Sequence, residues 1–316
     1  MKFAIVGSGS IGAAWAITFA RAGNDVSVYD VDPEKLESLK SGLTKRLHFL
    51  AVEELISENP ETILKRISIT TNLVLCLEGA TYVQECAPER VEIKEKIFEE
   101  LDQLTNENVI LASSSSALGS SKFNSKMQHP ERALVVHPGN PPYLLSVAEV
   151  VPSIKTSPEI TTRTIQILEQ VGMHPVEVKI EIEGFVFNRL QGAMLREAYC
   201  LVRDGVISPE EIDIIVTQGL GKRWAVIGPF GTSSLNAQGG IRDHASRMAE
   251  SYYRMGEDRN QDDPWTTEMV ESVASAMEKI FKVEEWEFNV EKRDRALAEI
   301  NKLIVKSDNF NFYDKD

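Results

Sequence analysis

The sequence predicts an α/β fold in which an N-terminal Rossmann-type doubly wound sheet is followed by an all-α C-terminal domain. Three observations carry this expectation. Apolar, β-rich runs alternate with polar, helix-like segments through the first half. The first run ends in a glycine-rich turn. After about Glu181 these runs stop and the sequence becomes helical in period.

The runs are Lys2–Val6, Val26–Tyr29, Ile67–Thr70, Thr81–Cys86, Val109–Ser113, Ala133–His137 and Val147–Val151. Strands separated by helices pair in parallel, so these read as one sheet covered on both faces. From Gly184 the positions Phe185, Asn188, Leu190, Ala193, Met194 and Glu197 suggest a helix with one packed and one polar face. Further helices are expected at Pro209–Gln218, Gly240–Met255, Pro264–Phe281 and Val290–Val305. The expected division is residues 1–182, the sheet domain, and 183–316, a helical domain. A half without strands needs a partner surface for its apolar faces, which points to a homodimer through the helical domain.

Composition narrows the function classes. With 42% hydrophobic and 26% charged residues the chain reads as an ordinary globular protein, and a net charge of −14 disfavours nucleic acid as a partner. No apolar run reaches the roughly 20 residues a membrane helix needs, so no membrane partner is expected. Lys2 leads directly into a strand and not into a secretory leader. Cys76, Cys86 and Cys200 have no paired spacing, which suits free thiols, a cytoplasmic location and no metal.

The stretch Lys2-Phe-Ala-Ile-Val-Gly7-Ser-Gly9-Ser10-Ile11-Gly12 is a strand, a G-x-G-x-x-G turn and a helix start. Gly7 serves the tight turn, Gly9 the close approach of a pyrophosphate to the backbone, and Gly12 the packing of helix on strand. The helix N-terminus at Ser10 and Ile11 faces the anion. Asp30 ends the next strand and is placed to accept from ribose hydroxyls. Its charge repels a 2′-phosphate and no arginine follows it, so the expected cofactor is NAD. A glycine-rich turn in a non-binding domain explains the turn but not the acid.

Later strand ends carry further polar groups. Ser113–Ser116 places hydroxyls beyond a strand end, where they fit a ligand contact or a polar loop equally well. His137 ends another strand, and a turn returns the chain so that Glu149 lies beside it. A carboxylate on one ring nitrogen fixes the tautomer, leaving the other to take a proton from a substrate hydroxyl. Removal of hydride from a carbinol carbon requires such a base.

With these pieces together the chain resembles the 3-hydroxyacyl-CoA dehydrogenase superfamily. The resemblance rests on Ser116, His137–Pro141, Glu149 and Gly184-Phe-Val-Phe-Asn188-Arg189. Within it, the branch of L-gulonate 3-dehydrogenase and lambda-crystallin shares Gln84-Glu-Cys-Ala-Pro-Glu89, His137-Pro-Gly-Asn140-Pro-Pro-Tyr143, Asp204–Pro209, Gly219–Pro229 and Leu235-Asn-Ala237. The resemblance implies that His137 is the acid/base and Glu149 its partner. It implies that Ser116 and Asn188 contact the reacting oxygen or the imidazole, that Asn140 lines the substrate site, and that Glu89 and Lys94 contact the cofactor on its nicotinamide side. Gly139 and Ser146-Val-Ala148 depart from that branch, so the pocket wall differs. L-Carnitine dehydrogenase is also similar around Gly221–Pro229, where Trp224, Phe230 and Tyr143 could box a trimethylammonium or simply pack a core. A 3-hydroxyacyl-CoA dehydrogenase proper and a non-catalytic crystallin-like structural protein are the other readings.

An acidic protein that binds a small hydroxy acid needs a dedicated cation for the carboxylate. Arg189 is offset by about 100° from Asn188 on one helix. Arg223 sits in what reads as a glycine-flanked loop, Gly219-Leu-Gly221-Lys-Arg223, and could fork onto a carboxylate or be a surface arginine.

Overall fold

In the computed structural model, residues 1–225, 227–238, 240–257, 259 and 285–305 are described. The strands are β1 (Lys2–Val6), β2 (Asp25–Tyr29), β3 (Ile67–Thr70), β4 (Tyr82–Glu85), β5 (Ile110–Ser113), β6 (Ala133–Pro138), β7 (Val147–Pro152) and β8 (His174–Glu177). They form one sheet in the order β3-β2-β1-β4-β5-β6-β7-β8. Every neighbouring pair is parallel except β6 and β7. The exception follows from connection length. Between Pro138 and Val147 the chain is too short for a crossover helix, so it can only return antiparallel.

The predicted double coverage is visible residue by residue. Phe3, Ile5, Leu134 and Val136 pack into one apolar cluster, and Ala4, Val6, Ala133 and Val135 into another. Alternate side chains of one strand therefore enter opposite cores. On the first face, helix α1 (Ser10–Arg21) lays Trp15 and Phe19 on β1. Phe3 stacks on Phe19 at 4.1 Å and Phe19 on Trp15 at 5.1 Å, all fully buried. Each such ring contributes roughly 1.5–3 kcal/mol through burial. Helix α2 (Pro33–Val52) starts at Pro33 under an Asp32 cap and buries Leu36, Leu39, Leu43, Leu47 and Leu50, one helical stripe. Helices α3 (Pro60–Leu64), α4 (Leu73–Leu77), α5 (Val91–Leu104) and α6 (Pro158–Gln170) complete this part.

Helix α7 (Phe187–Arg203) leads into α8 (Pro209–Ile215), a π turn (Val216–Leu220), α9 (Gly221–Trp224), α10 (Pro229–Leu235), α11 (Gly240–Glu257) and α12 (Trp286–Val305). The expected helix Pro264–Phe281 lies outside the described residues. Two compact units result: Met1–Leu190 with Leu297–Lys302, and the rest. The short return is held to the first unit by buried Ala298, by Asn301 donating to the Leu144 carbonyl at 2.9 Å, and by Lys302 pairing with Glu53 at 2.8 Å.

Three elements differ from expectation. β8 was not anticipated: it is an edge strand, mostly exposed, with Pro175 inside it, which only an edge accepts. The helix expected from Gly184 begins at Phe187, because Gly184 (φ +74°) and Phe185 (φ +49°) are left-handed. Arg223 is not in a loop. Gly219 and Gly221 are helical, and Gly221 donates to the Val216 carbonyl to close the π turn. A Cβ on Gly221 would stand 2.9 Å from that oxygen, so glycine here permits a tight helical turn instead of breaking it.

Candidate active site

The glycine turn has the geometry its pattern predicts. Gly7 has φ +109°, and a Cβ there would lie 2.8 Å from the Cys86 carbonyl oxygen. A Cβ on Gly12 would lie 2.0 Å from the Gly7 oxygen, so only glycine lets α1 close onto β1. Gly9 differs: a Cβ on it meets nothing within 4 Å, and it gives α1 no side-chain cap. Exposed Ser10 and half-buried Ile11 follow. A bare, open backbone at a helix N-terminus is what a pyrophosphate requires.

Asp30 is buried at the end of β2. Its Oδ2 accepts from the Ser8 N–H at 2.8 Å and the Ser8 hydroxyl at 2.7 Å, and its Oδ1 from the Asp32 N–H at 3.1 Å. Burial penalises the charge, but the Ser8 bonds outweigh it and hold the carboxyl below its usual range. Oδ1 keeps a lone pair for a ribose hydroxyl. The residues thus fit a dinucleotide. Ser8, which aims this carboxylate, was not anticipated: it sits in the unspecified position of G-x-G.

The ends of β4 and β5 are joined by buried ionic groups. Fully buried Glu85 accepts from Lys94 Nζ at 2.9 and 3.0 Å, from the Ala87 N–H at 2.6 Å and from the Ser113 hydroxyl. Lys94 is itself 1% exposed, and Glu89 Oε2 lies 3.6 Å from its ammonium. Glu89 Oε1 accepts from the Ser115 hydroxyl and from the N–H groups of Ser116, Ala117 and Leu118. Burial opposes this charge, and the Ser115 bond, the loop amides and Lys94 together hold Glu89 below the usual carboxylate range. The expectation that Lys94 offers its ammonium to a cofactor meets a buried group already surrounded by protein oxygens. An acid inside an apolar strand, Glu85, was the signal for this pair.

The His137–Glu149 pair is assembled by register. His137 on β6 lies opposite Glu149 on β7, so their side chains share a face. Nδ1 of His137 is 2.8 Å from Glu149 Oε2. Glu149 Oε1 accepts from the N–H groups of Val186 at 2.7 Å and Phe187 at 2.9 Å. Burial works against the Glu149 charge, but His137 and these two amides pull its carboxyl below the usual range. Because the carboxylate only accepts, the proton between them belongs to Nδ1, so in the neutral ring the lone pair lies on Nε2. Its Nε2 has no hydrogen-bond partner among the described residues.

The left-handed Gly184–Phe185 turn aims those two amides. It also sets the Phe185 and Phe187 rings 5.7 and 6.1 Å from the imidazole. Neither phenylalanine was singled out in the sequence for this. Asn188 donates its amide to the Ser116 carbonyl at 2.7 Å, joining α7 to the β5 loop. Asn140 is exposed beside buried Gly139. A Cβ at Gly139 would stand 2.8 Å from Leu145 Cβ, so this turn is closed tightly. Tyr143 is buried in the core and Trp224 and Phe230 are exposed. Arg223 lies in the second unit, exposed and without an ion pair among the described residues. Among the described residues no cluster of metal-ligating side chains occurs, and no helix is long and apolar enough to cross a membrane.

Fold and site together define an NAD-dependent dehydrogenase. The chain belongs to the 3-hydroxyacyl-CoA dehydrogenase family: residues 2–181 match its NAD binding domain and 184–285 its C-terminal domain. Lambda-crystallin from Oryctolagus cuniculus is 38% identical over 86% of each chain. The L-carnitine dehydrogenase of Staphylococcus epidermidis is 34% identical over 77% of this chain and 75% of that one. In a solved structure, an NAD+-dependent 5-formyl-3-hydroxy-2-methylpyridine 4-carboxylic acid 5-dehydrogenase aligns with a TM-score of 0.83 at 27% identity, covering 96% of this chain and 97% of that one.

Proposed function

We propose that this protein oxidises the 3-hydroxyl of a small hydroxy acid, converting L-gulonate to 3-dehydro-L-gulonate, with His137 as general base and Glu149 as its orienter. The observation that carries the reading is the 2.8 Å bond between His137 Nδ1 and Glu149 Oε2, with the other carboxylate oxygen held by two backbone amides. NAD supplies the hydride acceptor. Gly7, Gly9, Ser10, Ile11 and Gly12 hold its pyrophosphate, and Asp30 takes the adenosine ribose. His137 Nε2 receives the hydroxyl proton while Glu149 stabilises the imidazolium that forms. Ser116 and Asn188, tied to each other, contact the reacting oxygen, and Asn140 lines the substrate side.

The substrate carboxylate is bound by Arg223, an exposed guanidinium on a glycine-bearing helical turn in an acidic chain. The helical domain, from residue 183, forms a homodimer. Its Phe230, Leu235 and Tyr253 are 77%, 70% and 66% exposed in the single chain, more apolar surface than water favours. Free Cys76, Cys86 and Cys200 suit the cytoplasm.

L-Carnitine oxidation is the second reading, favoured by the Staphylococcus epidermidis relative. Tyr143, buried in the core, weakens the aromatic box that a trimethylammonium would need. The test is NADH formation with L-gulonate, L-carnitine, 3-hydroxybutyrate and 3-hydroxybutyryl-CoA. L-Gulonate is expected to give the highest kcat/KM, and its failure to turn over overturns the substrate assignment. In the same assay Arg223→Met should raise KM about tenfold or more, ~1.4 kcal/mol of lost binding. An unchanged KM removes Arg223 from the site.

A further inference from the structure

Glu89 is the hub of two adjoining strand ends. It follows β4, yet one of its oxygens accepts from four donors on the loop after β5: Ser115 Oγ at 2.5 Å, the Ser116 and Ala117 N–H groups at 3.1 Å, and the Leu118 N–H at 3.2 Å. The Leu118 N–H also donates to Ser115 Oγ at 2.8 Å, closing the loop on itself. Successive amides wrapped around one anion form a nest whose shape depends on the anion being present. Behind the carboxylate, Lys94 stands 3.6 Å away, fixed in turn by Glu85 and Ser113. In front of it, Ser116 is exposed, and its carbonyl accepts the Asn188 amide at 2.7 Å.

We infer that Glu89 is a positioning residue that acts through Ser116: its carboxylate, steadied by Lys94, moulds the Ser115–Leu118 loop so that the Ser116 hydroxyl and the Asn188 amide are presented together to the substrate. This rests on the reading that Ser116 contacts the reacting oxygen. It gives Glu89 a task other than contact with the cofactor. Without the carboxylate, three backbone amides and a hydroxyl lose their common acceptor. The loop then refolds around water, because the bonds that remain, from Asn188 to the Ser116 carbonyl, from Leu118 to Ser115 Oγ and from Ser115 to Ser113 Oγ, leave the Ser116 and Ala117 amides without an acceptor.

A double-mutant cycle on kcat/KM for the hydroxy acid decides it, with NADH affinity measured by fluorescence on each variant. Glu89→Ala should lower kcat/KM about tenfold or more while NADH affinity changes less than about twofold. Its effect should largely vanish in a Ser116→Ala background, since residues acting as one unit are not additive. Glu89→Gln, which keeps an oxygen for the nest, should recover most of the loss. If Glu89→Ala does not fold, Ser115→Ala removes the hydroxyl leg of the nest and should show the same non-additivity with Ser116→Ala. Losses that multiply in the double variant, or a Glu89→Ala loss seated in NADH affinity, overturn the inference and leave the role of Ser116 intact. Native turnover by Ser116→Ala overturns the underlying reading of Ser116, and the inference with it.

Discussion

Glu149→Gln should be far more damaging than the loss of one charge suggests, and the geometry says why. Oε1 of Glu149 is fixed by two donors, the Val186 and Phe187 amides at 2.7 and 2.9 Å. In the glutamine variant the side-chain oxygen must occupy that position, since an NH2 there would face two N–H groups. The NH2 is then forced to the other position, 2.8 Å from His137 Nδ1. It can only donate, so Nδ1 must accept and the ring proton moves to Nε2. The nitrogen proposed as the base would then carry a proton and could not take another. A wrong tautomer of this kind costs about 10⁴ in kcat where a triad carboxylate is replaced by its amide. At ~1.36 kcal/mol per tenfold, that corresponds to roughly 5 kcal/mol of transition-state stabilisation. Steady-state NADH formation at saturating substrate measures it, and ¹⁵N shifts of His137 report the tautomer directly. A glutamine variant within about tenfold of native kcat, with the Nδ1–H tautomer retained, would refute the reasoning.

Two further outcomes follow from the carboxylates. Asp30→Ala should shrink the preference for NAD over NADP about tenfold or more, because a charge that repels a 2′-phosphate in a partly buried site is removed; equal kcat/KM for both cofactors in the native protein would contradict the assignment. Acid should destabilise the fold: Asp30, Glu89, Glu149 and Asp102 (buried on α5, where it accepts from Arg132 and from the Gln128 and His129 amides) are all held below the usual carboxylate range by hydrogen bonds that outweigh burial. Groups of that kind contribute stability that is fully present above the unfolded values, near about 4, and is lost as pH falls through their lower folded values. Urea midpoints should therefore be level from neutral pH down to about 5 and fall below about 4, and a midpoint that rises on acidification would reverse the sign of the argument.

The strand-turn-helix at the N-terminus was legible because its signals are local: an apolar run, glycines at fixed offsets and an acid at the next strand end. The His137–Glu149 pair was legible for a similar reason, since a short return between two strands sets the register. What was not legible depends on distant or exceptional geometry. β8 carries Pro175 and no buried residue, so neither its period nor its composition marks a strand. Phe185 adopts a left-handed backbone that its side chain does not advertise, and it fixes where α7 begins. Gly219 and Gly221 read as loop residues, but a π turn uses the missing Cβ of Gly221 to keep the helix running through Arg223. Glu89 finds its partners 26 to 29 positions away on another strand's loop, and no spacing rule predicts that.

The central claim is that proton removal by His137 accompanies hydride transfer to NAD. Its most direct test is kcat for hydroxy-acid oxidation by His137→Asn, beside NADH affinity in the same variant. The account predicts a kcat lower by about two to four orders of magnitude, the size of a general-base contribution, with NADH binding unchanged within about twofold. A variant with native turnover would contradict it.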